Sequence, residues 1–293
     1  MKIVAIEEVP MIRGLEHRKG GFRSQTVLEG TPGTPGNFKF SVSEVGADFY
    51  SPRHRHNFDQ FRYVMQGTSD FEREGRMKPG MLGYFPEGTP YGAQTNPEPC
   101  TMAVLQFGGA SGSGYLLPRE VKAAMKEVEA FGEFRDGMFF RHGETKPGRD
   151  AYQAIWEHRH GRRMTYPKPR FTSPVFMASN AFTWTAREDE PGVSEKLLGV
   201  FGEGRTEGGL LRIEPGAQAQ LAGHGIWFVL DGRGEVASRS LDRHGTVYLE
   251  RGETVTLRAT ETTELLHYGL PRLSETPAVE AEETPEEELV LAS

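Results

Sequence analysis

The chain has very little cysteine, since Cys100 is the only one in 293 residues. A single cysteine excludes an internal disulfide framework and indicates a reducing compartment, so we expect a cytoplasmic protein. The sequence also lacks an apolar run of the length that crosses a membrane. Its first eight residues are too acidic, and their apolar run too short, for a signal peptide. We therefore expect no membrane partner.

An excess of basic residues is also missing. The formal net charge is −7, and residues 274–293 contain seven glutamates without a lysine or arginine. The rest of the chain is therefore close to neutral, which argues against a nucleic-acid partner bound through a positive field. We expect residues 274–293 to form an acidic, disordered tail.

Turn-forming residues are abundant, and helical patterns are few. With 36 glycines and 19 prolines, the composition favours many turns between short strands. Strand-like runs recur in residues 26–108 and again from about residue 171, which indicates a sandwich or barrel in each half. Helical periodicity is confined to residues 118–130 and 150–158, between the two halves. The sequence therefore predicts an all-β fold in two parts with a short helical connection.

Two histidines form the first pattern that carries chemistry. His54 and His56 are two residues apart in a segment that alternates like a strand, so both imidazoles are expected on one face. Gln60 follows His56 after three residues, and Gly67 follows Gln60 after six. Two imidazoles that reach the same point are typical of a metal site.

A second pattern follows in residues 80–91. Gly80 is followed by five residues, then Pro86 and Gly88 with one residue between them, and then Tyr91 after two more. In both patterns the chain resembles the cupin superfamily, whose first motif has Glu at the position of Gln60 and whose second has His at the position of Tyr91. The resemblance implies double-stranded β-helix barrels with the site inside.

The second half resembles a further, degenerate copy of the barrel. Aligning Gly232 with Gly67 reveals an internal repeat and places Ala219, Leu221 and Gly225 at the ligand positions, where they offer no side-chain donor atoms. The resemblance is thus to bicupins, which have two such barrels. We expect an N-terminal barrel in residues 1–115, the connection in 116–168, a C-terminal barrel in 169–273 and the tail in 274–293. Trp227 and Phe228 suggest that the second barrel packs an apolar face against the first.

The roles of the site residues follow from their chemistry. His54 and His56 are predicted metal ligands for a divalent transition metal such as Fe, Mn, Ni or Zn. Gln60 is a weak ligand through its carbonyl oxygen or a substrate-binding residue, and the sequence favours neither role. Tyr91 is a metal ligand as a phenolate, or a catalytic acid or base as a phenol.

Other polar residues are weaker candidates. Gln106 lies in an apolar strand pattern and is a candidate substrate-binding residue. His224 and His267 in the second copy are expected to be structural. His158 and His160 form another pair two residues apart, but on a helix such residues diverge and cannot share a metal. We expect them at a basic surface turn.

Taken together, these features predict a metal-dependent enzyme that acts on a small organic substrate in the first barrel. A dioxygenase-like oxidoreductase is the leading expectation, which rests on the resemblance to two-barrel cupins. Two alternatives stay open: a non-catalytic cupin that binds a small molecule, and an isomerase or lyase that uses Tyr91 as acid or base. The expected partner is a small-molecule substrate, and a homodimer stays open.

Overall fold

The computed structural model describes residues 1–31, 36–109, 115–145 and 148–271. The predicted acidic tail therefore lies outside the described residues. Strands dominate the fold, as predicted. The strands before the first helix are β1 Lys2–Val4, β2 Ile12–Arg13, β3 Phe22–Glu29, β4 Phe38–Val45, β5 Tyr50–Ser51, β6 Phe58–Gln66, β7 Ser69–Asp70, β8 Arg76–Met77, β9 Met81–Phe85, β10 Gln94–Thr95 and β11 Cys100–Gly108.

The described part of the middle of the chain contains two α-helices. Its elements are α1 Pro118–Val128, β12 Gly132–Arg135, β13 Met138–Arg141, β14 Arg149–Asp150 and α2 Ala151–His160. The remaining strands are β15 Val175–Ala178, β16 Thr185–Ala186, β17 Val193–Phe201, β18 Thr206–Ile213, β19 Gln218–Ala222, β20 Gly225–Asp231, β21 Gly234–Val236, β22 Arg239–Leu241, β23 Thr246–Leu249, β24 Thr254–Ala259 and β25 Thr263–Gly269. No helix among the described residues is long and apolar enough to cross a membrane.

Each half of the chain builds one large and one small sheet. The first barrel consists of a seven-stranded sheet in the order β15-β9-β6-β11-β4-β3-β2 and a four-stranded sheet in the order β5-β10-β7-β8. The second barrel has the orders β1-β23-β20-β25-β18-β17-β16 and β19-β24-β21-β22. The core strands correspond one to one, β6 with β20 and β11 with β25, so the predicted internal repeat is present.

The two barrels exchange strands across the boundaries expected from the sequence. Strand β1 pairs with β23 of the second barrel, although it begins the chain. Strand β15 pairs with β9 of the first barrel, although it follows the connection. Each barrel therefore needs a segment that the sequence assigns to the other one, and the two folding units are interlocked.

The repeat is also visible in the glycines that end its central strands. Gly67 after β6 has φ +74°, and a Cβ there would lie 2.0 Å from the Pro99 carbonyl oxygen. Gly232 after β20 has φ +85°, and its Cβ would lie 2.3 Å from the Thr262 carbonyl oxygen. Both turns thus require glycine for its left-handed backbone and for its lack of a side chain.

A large apolar seam joins the two seven-stranded sheets. Odd-numbered residues of β6 such as Phe61 face the seam, whereas Val64 on the other face belongs to the interior of the first barrel. Across the seam, Phe61 stacks on Tyr268 with ring centroids 5.3 Å apart, and Phe40 meets Phe228 at 5.5 Å. The prediction for Phe228 is confirmed. The prediction for Trp227 is wrong, because alternation along β20 turns it into the second barrel.

The connection between the barrels contains helices near the predicted positions. Helix α1 presents Val128 and Ala124 to the core, and α2 buries Trp156 completely. His158 and His160 are exposed, as expected from the sequence, but they lie in the last turn of α2 and not in a turn outside the helix. His158 Nε2 is 3.0 Å from a Glu127 carboxylate oxygen, and the ring of His160 stacks on Trp156. The two imidazoles therefore point to different neighbours.

The turn after β6 offers a test of these steric requirements. Gly67→Ala should lower the free energy of unfolding by roughly 2–5 kcal/mol, because the methyl group meets a carbonyl oxygen and the backbone is left-handed. Gly161→Ala is the matched control, since Gly161 has a left-handed backbone with φ +63° but open space around its Cβ position. Its loss should be about 1 kcal/mol, from backbone strain alone. Urea unfolding measures both, and equal losses would contradict the steric explanation.

Candidate active site

His54 lies in an extended segment between β5 and β6, not inside a regular strand as the sequence suggested. Its backbone forms a two-residue bridge with Tyr91, in which each amide donates to the other residue's carbonyl at 3.1 and 2.9 Å. The bridge joins the first sequence motif to the second. His54 Nδ1 is 2.7 Å from the Pro52 carbonyl oxygen. Since a carbonyl only accepts, Nδ1 carries the hydrogen and Nε2 presents its lone pair.

His56 lies two residues further along, just before β6. Its ring stacks on Phe58 with centroids 4.3 Å apart, which fixes its plane. His56 Nε2 approaches His54 Nε2 to 3.1 Å. His56 Nδ1 is buried and has no hydrogen-bond partner among the described residues. The sequence expectation that both imidazoles reach one point is therefore met in the geometry.

Tyr91 completes a cluster of three donor atoms. Its hydroxyl oxygen is 3.0 Å from His56 Nε2, and the residue is almost completely buried. The ring packs edge-on against Phe85, with centroids 4.7 Å apart, so the hydroxyl cannot swing away. Two imidazole nitrogens and one phenol oxygen thus converge in the interior of the first barrel.

Arg62 is the residue at this site that the sequence reasoning missed. Its guanidinium donates to the Gln60 amide oxygen at 2.8 Å, to the Gln94 amide oxygen at 2.8 Å and to the Tyr91 hydroxyl at 2.6 Å. The signal was present in the sequence, because Arg62 is two residues after Gln60 on the same face of β6. The amide oxygen of Gln60, which the sequence suggests as a metal ligand or a substrate contact, therefore accepts a hydrogen bond from a cation of the protein.

A chain of buried amides and a hydroxyl holds Arg62 from behind. Gln94 donates to the Ser69 hydroxyl at 3.0 Å, and Ser69 donates to the Asn96 amide oxygen at 2.9 Å. Asn96 in turn donates to the Gly46 carbonyl oxygen at 3.3 Å. Each of these polar groups thus has a hydrogen-bond partner, and the series of bonds fixes the guanidinium in one orientation.

Burial governs the charge state of the site. Desolvation lowers the pKa of His54 to about 3 and that of His56 well below its usual value, so both imidazoles are neutral at pH 7. Desolvation also raises the pKa of Tyr91, although the Arg62 guanidinium opposes that shift. The cluster is therefore made of neutral donors beside one permanent positive charge.

The connection between the barrels covers the open end of this cluster. Phe58, on which the ring of His56 stacks, packs against Tyr115 and Tyr152 at centroid distances of 5.3 and 5.9 Å. A buried ion pair between Arg18 and Asp150, with an N–O distance of 2.7 Å, fastens the start of α2 to the first barrel. These contacts leave His54 and His56 only 7% and 8% exposed.

The other candidate residues do not join the cluster. Gln106 pairs with Gln60 across β11 and β6 and lies on the interior face, half-buried, beside the strand that carries the site. Ala219 and Leu221 belong to the apolar core of the second barrel. His267 stacks on Trp227 at 4.7 Å, and His224 Nε2 is 3.3 Å from the Tyr248 hydroxyl. Neither histidine is within a metal-binding group among the described residues.

The donor set can be tested against a metal ion. In the described part of the chain, no three or more His, Cys, Asp or Glu side chains form a metal-binding group. The two Nε2 atoms nevertheless have the separation of neighbouring ligands, roughly 3.0–3.4 Å for metal–nitrogen bonds of about 2.1 Å. When both imidazoles carry their hydrogen on Nδ1, both Nε2 lone pairs are directed into the same space, where a bound cation would accept them. His54, His56 and Tyr91 therefore fit a metal, whereas Gln60 is held by Arg62.

Comparisons with known proteins show the fold. No protein-family profile and no curated protein matches the chain. Among solved structures, a dioxygenase candidate from Nostoc punctiforme has a TM-score of 0.61 at 12% identity, with 97% of this chain and 87% of that chain covered. A candidate glyoxylate-induced protein from Pseudomonas aeruginosa gives 0.57 at 12% identity, with coverages of 93% and 87%. Bacillus subtilis oxalate decarboxylase gives 0.55 at 14% identity, with coverages of 92% and 77%. The chain thus has the cupin fold in a two-barrel form, as predicted.

Burial of histidines beside the site predicts a pH dependence of stability. His17 is buried next to Arg18, and desolvation lowers its pKa to about 3, below the value of 6.5 expected in the unfolded chain. The unfolded state therefore takes up a proton first, and stability is lost as the pH falls from about 6.5 towards 3. In metal-stripped protein, we compare the change in the free energy of unfolding that His17→Phe causes at two pH values. That change should be roughly 2 kcal/mol more favourable at pH 5 than at pH 8.

Urea unfolding at the two pH values measures this difference. Subtracting the effect at pH 8 from the effect at pH 5 removes the contribution of altered packing, which is the same at both pH values. His142→Phe, at an exposed position, is the control. An unchanged pH dependence in the His17 variant would show that His17 does not remain neutral in the folded protein.

Proposed function

We propose that the chain is a metal-dependent enzyme of the cupin fold that acts on a small organic substrate in the first barrel. The observation that supports this proposal is the convergence of the His54 and His56 Nε2 atoms at 3.1 Å, with the Tyr91 hydroxyl 3.0 Å from His56. The reaction we favour is a dioxygenase-like oxidation. One structural neighbour is described as a dioxygenase candidate, which agrees with this choice.

The proposed metal is a divalent transition metal, Fe, Mn, Ni or Zn. When bound, it would act as a Lewis acid on the substrate and, if redox-active, would transfer electrons to dioxygen. His54 would hold it with a lone pair that the Pro52 carbonyl orients from the far side of the ring. A ligand set of two imidazoles and one phenol oxygen leaves further coordination positions for small molecules.

The chain's own residues have three tasks in this proposal. Tyr91 would offer its oxygen to the metal, and the guanidinium of Arg62 favours the loss of the hydroxyl proton. Phe58, together with Tyr115 and Tyr152, excludes water from the cluster. Gln60 and Gln94 hold Arg62 in place through their amide oxygens.

A second candidate function is a metal-independent isomerase or lyase with Tyr91 as acid or base. The 2.6 Å hydrogen bond from Arg62 to the Tyr91 hydroxyl favours it, because a neighbouring cation stabilises a phenolate. This candidate requires activity that survives chelation and is lost in Tyr91→Phe. A protein that holds no metal and has no turnover would instead be a small-molecule-binding cupin.

Metal content tests the proposal directly. His54→Ala and His56→Ala should each reduce bound transition metal at least tenfold, because each removes one of the two imidazole ligands. Elemental analysis after anaerobic loading and gel filtration measures the content, and circular dichroism confirms the fold. His267→Ala, in the second barrel, is the matched control and should keep the wild-type content. Equal metal in all four proteins would refute the site.

The role of Tyr91 has a separate spectroscopic test. In Fe³⁺-loaded protein a phenolate ligand produces a visible charge-transfer band, which should be present in the wild type and absent in Tyr91→Phe. Tyr84→Phe is the control, because Tyr84 is equally buried but donates to Asp59 at the seam between the barrels. A band that persists in Tyr91→Phe, or a wild type without one, would show that Tyr91 does not bind the metal.

A further inference from the structure

A run of positive side chains begins in the last turn of α2 and continues beyond it. Residues 159–170, which we call the basic segment, contain no aspartate or glutamate and five cations, which are Arg159, Arg162, Arg163, Lys168 and Arg170. The first four are exposed, and none of them lies within ion-pair distance of a carboxylate in the described part of the chain. Their charge is therefore available to a partner that the described residues do not supply.

The basic segment packs against both sequence motifs of the first barrel. Pro167 lies on Gly88 of the second motif, where a Cβ would be 2.6 Å from the Pro167 carbonyl oxygen. The guanidinium of Arg55, which stands between the two site histidines in the first motif, lies 4.0 Å from the ring centroid of Tyr166. The charged surface is thus formed in advance, and a partner bound to it would also hold down the chain that covers the site.

The described part of the chain ends beside one end of the basic segment. Pro271, the last described residue, lines a small pocket together with Arg170 and Glu203. Arg170 Nε donates to the Glu203 carboxylate at 2.6 Å, and a Cβ on the neighbouring Gly204 would be 2.8 Å from Pro271 Cβ. The residues after Pro271 therefore start next to Arg170.

The sequence after this point has the opposite charge. Residues 274–293 contain seven glutamates without a lysine or arginine. A fully extended chain covers at most about 3.3–3.6 Å per residue, so the 18 residues from Pro271 to Leu289 span up to roughly 60 Å. By the same measure the 12 residues of the basic segment span at most about 40 Å. The glutamates can therefore reach every cation of the basic segment.

The order of side chains along the tail also matches the order along this surface. Residues 289–291 are Leu, Val and Leu, and they follow the last glutamate. At the far end of the basic segment the ring of Phe131 lies 5.9 Å from the ring of His158, and Phe131 is 47% exposed. Once the glutamates lie along the cations, the aliphatic residues that follow can cover this exposed ring and remove it from water.

The covalent connection makes weak pairing sufficient. An exposed ion pair contributes little by itself, and salt screens it. A segment attached to the same chain, however, has an effective concentration in the millimolar range. A tail whose free peptide had a dissociation constant of about 0.1 mM would therefore occupy the surface roughly nine-tenths of the time.

We propose that the acidic tail, residues 274–293, binds to the basic segment of its own chain, with its glutamates along the cations and its aliphatic end on Phe131. The sequence predicts disorder for the tail because the tail contains no partner for its own charges, and the basic segment supplies that partner. The bound tail links the end of the second barrel to the chain that covers the candidate site. This interaction does not rest on the proposed function.

Paramagnetic relaxation in the full-length protein tests the contact. Ser293→Cys provides a single site for a nitroxide label, because Cys100 is buried and burial raises the pKa of its thiol to about 12. At low salt the label should broaden the amide signals of Phe131 and of the basic segment at least twofold relative to the reduced, diamagnetic label. At 1 M salt, where the screening length is about 3 Å, this broadening should be lost.

Charge variants of the labelled protein identify the surface. Arg159→Gln combined with Arg163→Gln should reduce the broadening at Phe131 at least twofold, because two exposed cations of the basic segment are removed. Arg239→Gln combined with Arg258→Gln is the matched control, since it removes the same charge from exposed positions of the second barrel, and it should leave the broadening unchanged.

Isotope mixing separates the chain's own surface from that of a second copy. When ¹⁵N-labelled protein without nitroxide is mixed with nitroxide-labelled protein without ¹⁵N, the basic segment should show no broadening. Broadening in this mixture would assign the tail to a second copy and overturn the proposal. A basic segment that its own tail leaves unbroadened, or equal broadening in the two pairs of variants, would overturn it as well. If the unbroadened amides shift when a short single-stranded RNA is added, the surface binds nucleic acid in place of the tail.

Discussion

The hydrogen bonds of the Arg62 guanidinium hold the candidate site together. They connect Gln60 of the first sequence motif, Tyr91 of the second and Gln94 of the facing small sheet. A buried cation is costly, and three directed neutral acceptors reduce that cost without removing the charge. The same arrangement fixes the guanidinium beside the Tyr91 hydroxyl, which is also 3.0 Å from His56 Nε2.

The second barrel contributes structure, and its influence on the site is indirect. The seam of aromatic residues, which includes Phe61 and Tyr268, fixes strand β6 from one side. Alternation along β6 then places Gln60 and Arg62 on the other side, inside the first barrel. Because β1 and β15 cross between the barrels, neither barrel is a separable unit, and a seam of two interlocked sheets provides a rigid support for the site.

The connection between the barrels has a clearer role in the structure than in the sequence. Its helical signals predicted two helices, but only packing shows that Tyr115 and Tyr152 close over Phe58 and the histidines. The Arg18–Asp150 ion pair fastens this cover near its centre. The low exposure of the histidines, and with it their neutral state, depends on this segment as much as on the barrel.

Local sequence was sufficient to determine the fold, the repeat and the position of the two histidines. These features are visible in the spacing of the motif residues, because local geometry restricts which residues can stand at fixed positions. Gly67 and Gly232, for example, occupy turns where any side chain would meet a carbonyl oxygen. Only the tertiary structure decided which polar groups meet. In the folded chain Gln60 accepts a hydrogen bond from Arg62, and Trp227 packs inside the second barrel. Two strands, β1 and β15, pair with the half of the chain to which the sequence did not assign them. These outcomes depend on contacts between distant segments, whose free energies cannot be read from local periodicity.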